Sequence, residues 1–157
     1  FESADLPLLV RSRMPGVLGL SVRADDMNED FKRTLAEEID TYKQLREVLR
    51  HGSTQLITGQ AVPWEDSGWD AIQATSAADG SVVLFAYQSN EDVDDAVIRP
   101  KGLEPDMAYA VSSVDDGEIG MALGSDLMES GIGLHDSSRS AARLIRLTPM
   151  RAAAARR

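Results

Sequence analysis

Asp70-Ala71-Ile72-Gln73-Ala74-Thr75-Ser76, Ala78-Asp79-Gly80-Ser81 and Val82-Val83-Leu84-Phe85-Ala86-Tyr87-Gln88 form the stretch that decides the fold. Two short apolar runs flank an Asp-Gly pair, and Asp-Gly supplies the positive φ angles that a tight hairpin turn requires. The pattern repeats outward from this hairpin. Further short apolar runs occupy 55–58, 94–99, 108–114, 132–134 and 141–148. Pro100-Lys101-Gly102 and Asp115-Asp116-Gly117 punctuate them with turn residues. Such spacing predicts six or seven strands over about 100 residues, and hence a mainly β fold, an antiparallel sandwich or barrel, of which an antiparallel β-sandwich of Greek-key type is the one expected here.

Upstream of Gly52 the period changes. Phe31, Leu35, Ile39, Tyr42, Leu45, Val48 and Leu49 recur in steps that place them on one stripe of a long amphipathic helix. Asn28 is suited to cap its first turn, where Glu29 and Asp30 also favour the positive end of the helix dipole. Arg46, Arg50 and His51 complement the other end, and Gly52 is expected to stop the helix in a left-handed conformation. Val17-Leu18-Gly19-Leu20-Ser21-Val22, after Pro15-Gly16, reads as a short buried strand, and 6–14 as the end of an earlier helix. Strand and helix together make one β/α unit before the sandwich. A single unit cannot cover both faces of its own strand. The apolar stripe from Phe31 to Leu49 is therefore expected to be bare, or covered by self-association.

The 157 residues carry 43% hydrophobic and 27% charged side chains, ordinary globular usage. Zero cysteines exclude a disulfide framework and thiolate metal or redox sites. No run approaches a membrane span and no charged-then-apolar leader opens the chain, so a soluble protein is expected, with the cytoplasm slightly favoured. The net charge is −10, concentrated in 53–138, where 16 acids face only Arg99 and Lys101. That field repels phosphate and argues against nucleic acid as a partner. Arg139, Arg143, Arg146, Arg151, Arg156 and Arg157 give the end of the chain its basic character; Arg143 and Arg146 sit within an apolar alternating run, and the rest read as a short solvated tail facing an acidic body. There is no internal repeat, and the glycines lack the strand–loop–helix setting of a phosphate cradle.

Candidate chemistry is sparse. Asp25-Asp26, Asp94-Asp95 and Asp115-Asp116 are the acidic pairs, but neighbours on a strand point to opposite faces, and these pairs sit among turn residues. His135-Asp136-Ser137-Ser138 places triad residue types side by side in sequence, where the geometry of a triad is seldom attainable. His51 and His135 without cysteine do not make a zinc site, and Asn90, Glu91, Asp92, Asp94 and Asp95 lack the calcium-loop spacing. No catalytic residue, metal ligand or cofactor is assigned. Trp69 is expected to pack into the sandwich or onto the preceding helix. Trp64, in a polar loop, is the one substrate-binding candidate, as a platform on which a sugar ring would stack.

Four stretches together carry a family resemblance. Pro15-Gly16-Val17-Leu18-Gly19-Leu20-Ser21 resembles the segment around a last barrel strand. Ile39-Asp40-Thr41-Tyr42-Lys43-Gln44-Leu45-Arg46, running on to Leu49-Arg50-His51-Gly52, is similar to a last barrel helix. Trp69-Asp70-Ala71-Ile72-Gln73, Asp79-Gly80-Ser81 and Val82-Val83-Leu84-Phe85-Ala86-Tyr87 look like the opening strands of a terminal sandwich. Gly124-Ser125-Asp126-Leu127-Met128-Glu129-Ser130-Gly131-Ile132 resembles that domain's Gly-x-x-Leu-Met-x-x-Gly turn, and Ser140-Ala141 opens the final strand. In this order they resemble the C-terminal part of the family 36 α-galactosidase-like glycoside hydrolases, the melibiases.

The resemblance implies a (β/α)8 barrel followed by an antiparallel β-sandwich, acting on terminal α-galactosides with retention. It places the catalytic aspartates on earlier barrel strands, and no residue here matches either motif. Residues 1–52 would then be the last β/α unit of the barrel, incomplete alone, 53–149 the C-terminal sandwich and 150–157 a basic tail. The upstream catalytic barrel is the implied partner. The alternative is a stand-alone carbohydrate-binding or interaction module, and self-association fits either reading.

Overall fold

The computed structural model describes residues 6–21, 23, 25, 27–59, 68–89, 92–137 and 141–151. Two helices come first, α1 (Leu6–Arg11) and α2 (Glu29–His51). They are followed by β1 (Gly52–Leu56), β2 (Trp69–Ser76), β3 (Val82–Gln88), β4 (Asp95–Ile98), β5 (Ala108–Ser113) and β6 (Gly117–Leu123). A third helix, α3 (Gly124–Ser130), then leads to β7 (Ile132–His135) and β8 (Ala142–Pro149). Six strands form one antiparallel sheet in the order β1-β2-β3-β8-β5-β6, while β4 and β7 pair as a separate ribbon.

The hairpin that decides the fold is β2–β3, with Trp69 opposite Gln88 and Thr75 opposite Val82. Gly80 turns it at φ 76°, and the Asp79 carboxylate accepts from the Ser81 amide at 2.9 Å. β3 lies between β2 and β8, and its two faces serve two cores. Val82, Leu84 and Ala86 face the first, with Trp69, Ile145 and Leu147, closed by Ile98 and Ile132 of the ribbon, by Leu103 and by Leu127 of α3. Val83 and Phe85 face the second, with Leu144, Leu35 and Leu45, closed by α1 and α2. Alternation along a strand distributes the side chains this way, and burial on both faces is why β3 reads as a continuous apolar run.

The architecture is the expected antiparallel sandwich preceded by a long amphipathic helix, with one helical layer added. The stripe from Phe31 to Leu49 is neither bare nor left for a second molecule: Leu35, Leu45 and Val48 are buried against β2, β3 and α1. Ala74, Val83, Phe85 and Leu144 give the sheet its own apolar face, and the two surfaces cover each other within the chain.

Four local readings are corrected. The segment 17–21 forms no strand, Val17 is 94% exposed, and none of the described strands pairs with it. A β-strand needs a hydrogen-bonding neighbour, and apolar character alone does not make one. Gly52 is extended (φ −101°, ψ 176°) rather than left-handed, because it opens β1 directly. Glycine is required there for space, since a Cβ would meet the carbonyl oxygens of Thr75 and Val48. The run at 124–130 is a short helix rather than a turn, ended by Gly131 at φ 77°. Finally, β6 was not foreseen, and the strands number eight among the described residues. The Asn28 cap is as expected, its Oδ1 accepting from the Phe31 amide at 2.8 Å. No described helix is long and apolar enough to cross a membrane.

Candidate functional site

The helical layer is joined to the sheet by a buried ionic cluster. Arg11, the last residue of α1, is 5% exposed, as is Glu38 of α2. The guanidinium grips the Glu38 carboxylate with two bonds, Nε to Oε2 at 2.9 Å and Nη2 to Oε1 at 2.7 Å. Its Nη1 reaches the Asp115 carboxylate at 2.8–2.9 Å and the Ala142 carbonyl at 2.7 Å. Tyr87 of β3 donates its hydroxyl to the Arg11 carbonyl at 2.9 Å. One side chain thus ties α1 to α2, to the β5–β6 turn and to the start of β8. Burial works against the Arg11 charge, but the bonds and charges of Glu38 and then Asp115 outweigh it and hold the guanidinium above its ordinary pKa. The Tyr87 hydroxyl is also raised, by burial, against the pull of Arg11.

Arg143 extends the cluster outward. Its Nε donates to Asp136 at 2.7 Å, and its Nη1 lies 3.6 Å from Asp115 and 3.5 Å from Asp116. The Ser113 hydroxyl donates to Asp116 at 3.1 Å and accepts from the amides of Asp115 and Asp116 at 3.1 and 3.2 Å. The Asp115-Asp116 pair is therefore an arginine-bound turn.

A second feature is a groove of about 810 Å³ on the ribbon side, whose lining includes Thr58, Trp69, Ile98, Arg99, Lys101 and Met128. Arg99 and Lys101, the two bases among the 16 acids of 53–138, both line it. Arg99 Nε donates to the Glu129 carbonyl at 3.1 Å. The loop carrying Lys101 is held by the buried Gln73 side chain, which accepts from the Lys101 amide at 2.8 Å and donates to its carbonyl at 2.7 Å.

The remaining sequence candidates separate. Trp69 is 2% exposed, packs in the sandwich core, and donates Nε1–H to the Val93 carbonyl at 2.9 Å. Trp64, Asp26, Asn90, Glu91 and Ser138 lie outside the described residues. His135 pairs across the ribbon with Asp95 at 2.8 Å, while Asp136 pairs with Arg143, so the sequence neighbours do not converge as a triad. The Asp95 hydrogen bond, and then its charge, raise the His135 pKa above the ordinary imidazole value. His51 sits 3.9 Å from Glu47 one helical turn back. Among the described residues no group of three or more His, Asp or Glu is arranged to hold a metal. The Arg11 cluster had one legible signal: Glu38 falls on the apolar face of α2, three residues after Leu35, where a lone charge asks for a buried partner.

Residues 69–147, which run from the start of β2 into β8, match the glycosyl hydrolase family 36 C-terminal domain. The chain belongs to this family. No curated protein sequence matches it. Among solved structures it is similar to the family 36 α-galactosidase AgaA of Geobacillus stearothermophilus, with a TM-score of 0.74 at 20% identity. That likeness covers 89% of this chain and 19% of the enzyme. The galactosidase domain of the α-galactosidase–sucrose kinase AgaSK gives 0.72 at 18% identity, over 89% of this chain and 19% of that one. The α-galactosidase of Lactobacillus brevis gives 0.71 at 19% identity, over 92% of this chain and 20% of that one. The family 36 chain described here thus spans about a fifth of the length of these enzymes. Coverage of 89% exceeds what the sandwich alone supplies, so the shared fold includes part of the helical layer.

Proposed function

We propose that this chain is the non-catalytic C-terminal region of a retaining α-galactosidase-type glycoside hydrolase. In this reading residues 1–52 are the last β/α unit of a (β/α)8 barrel, 53–149 the sandwich that buttresses it, and 150–157 a basic tail. The observation that carries it is the family 36 C-terminal match over 69–147, joined to a fold likeness covering a fifth of much longer α-galactosidases.

Two further features support it. Retaining hydrolysis needs two carboxyl groups about 5–5.5 Å apart across the glycosidic bond, free to act as nucleophile and acid/base. Three carboxylates of the described acidic pairs are engaged by basic side chains instead: Asp115 and Asp116 by Arg143, Asp115 also by Arg11, and Asp95 by His135. The segment 17–21 is apolar and pairs with none of the described strands, which fits a strand whose hydrogen-bonding partners come from elsewhere.

Hydrolysis of a chromogenic α-galactoside by the 157-residue chain, beside the full-length enzyme from its natural reading frame, tests the reading. Turnover by the long form alone is the expected result. Turnover by the short chain would sink it.

A further inference from the structure

The ribbon that closes the sandwich has a bare edge. β4 pairs with β7 on one side, and no described strand pairs with the other. The ladder fixes which backbone groups that edge presents. The Asp136 amide donates to the Asp94 carbonyl at 2.9 Å, and opposed residues in an antiparallel pair alternate between bonded and non-bonded. Ala96 with Leu134 and Ile98 with Ile132 therefore exchange the ribbon's bonds, and the N–H and C=O groups of Asp95 and Val97 point away from β7. Val97 is 50% exposed there, opposite Gly133, which has no side chain to cover it. The groove of about 810 Å³ runs along this edge. Asp95, Ala96, Val97 and Ile98 all line it, whereas a cleft against one face of a strand would meet only every second residue. Its far wall is 57–59, where the Ile57 amide donates to the Ala71 carbonyl at 3.0 Å and continues the edge of the large sheet past β1.

We propose that this groove takes an extended acidic segment of a partner protein, added beside β4 as a third strand of the ribbon. Two observations choose the occupant. The first is the row of outward backbone groups, which only another extended backbone matches. The second is charge. Arg99 and Lys101, the two bases among the 16 acids of 53–138, both line the groove, and neither forms an ion pair among the described residues. Both are held in place, Arg99 through the Glu129 carbonyl and the Lys101 loop through the buried Gln73 side chain. Fixed cations without anions, on a body of net charge −10, are complementary to a partner's carboxylates. Asp95 stands at the other end of β4, so the acids of the incoming strand belong at the Arg99 end alone. Backbone pairing supplies the affinity, and Arg99 and Lys101 the choice of sequence. The wall at 57–59 faces the edge, so the space suits a single strand better than the ribbon of a second copy with its own six-stranded sheet behind it.

The test is a random-peptide phage library panned on the 157-residue chain. The expected result is a consensus with Asp or Glu at one end, and a selected peptide that slows amide exchange at Asp95 and Val97. Arg99→Gln with Lys101→Gln should weaken that peptide roughly tenfold and flatten its salt dependence. Val97→Pro removes one outward N–H and spares the bonds to β7, so it should abolish binding while exchange across the ribbon stays as it was. If the proline disturbs the ribbon, the glutamine pair decides. No enrichment, a neutral or basic consensus, a peptide that leaves the Asp95 and Val97 amides exchanging freely, or affinity unchanged in the glutamine pair overturns the proposal. Protection of those two amides before any peptide is added also overturns it, and protection that grows with protein concentration assigns the edge to a second copy instead. None of these outcomes touches the α-galactoside assay, which reads a different property of the molecule.

Discussion

The two faces of the six-stranded sheet are closed by different means. On the ribbon side, Leu84, Trp69, Ile145 and Leu147 meet Ile98, Ile132, Leu103 and Leu127, so this core is closed by apolar groups. On the helix side Phe85, Val83 and Leu144 meet Leu35 and Leu45, but the contact is pinned by Arg11, Glu38 and Asp115. Apolar burial is non-directional, whereas a guanidinium forked onto one carboxylate and bonded to a second accepts a single arrangement. The comparison teaches that the sandwich closes on itself by burial, while the helices are set in register on it by charge.

Substitutions on the two sides separate these mechanisms. Phe85→Ala should cost the most, about 4 kcal/mol in urea unfolding, because it opens a cavity where sheet and helices meet. Leu84→Ala, one residue away on the opposite face, should weaken the ribbon side instead, with amide exchange rising first in β4 and β7. If both changes released the same amides, the two cores would act as one.

Arg11→Met comes next, at about 3 kcal/mol, because it strands Glu38 buried without its cation. Adding Glu38→Leu should recover most of that loss, since two apolar residues replace two paired charges. A double variant as unstable as the single one would show that the guanidinium's other bonds, to Asp115 and Ala142, carry the junction. Asn28→Ala should cost about 1 kcal/mol, by removing the cap of α2 without touching either core.

The smallest effect is a titration. His135 is exposed and its pKa is raised by Asp95, so its ion pair across the ribbon is intact below the unfolded imidazole value of about 6.5 and is lost as pH rises through the folded one. Proton NMR of the ring should show a midpoint above 6.5 that drops in Asp95→Asn, while the helix-side resonances stay still. Movement of the helix-side signals would mean that the ribbon and the helical layer are coupled.

Much of the fold was legible because its signals are local. The Asp79-Gly80 turn, the apolar run 82–88, the Asn28 cap and the stripe of α2 are each written within a few consecutive residues. What escaped was set by distant partners. The run at 17–21 has the composition of a strand but pairs with none of the described strands. In β6, Gly117 and Gly120 dilute the alternation of Ile119, Met121 and Leu123, and neighbouring β5 supplies the order. Gly124 and Gly131 bracket α3 and give it the look of a turn. The junction was least visible of all, since Arg11 meets Asp115 across 104 positions and Ala142 across 131. Such separations leave no trace in a periodicity.

The passage from α2 into β1 at Gly52 has a mechanical consequence. His51 ends the helix and the next residue already pairs with Ser76, so no slack lies between a rigid rod and the edge of a sheet. A pull or tilt applied to the rod is delivered straight to that edge, and β1, held on one side only, is the strand that would peel away first. The same tight splice makes the sandwich a poor cassette. Severed between 52 and 53, it would have to re-form an edge strand whose first residue had gone with the rod. A graft point that respects the architecture lies before the helices.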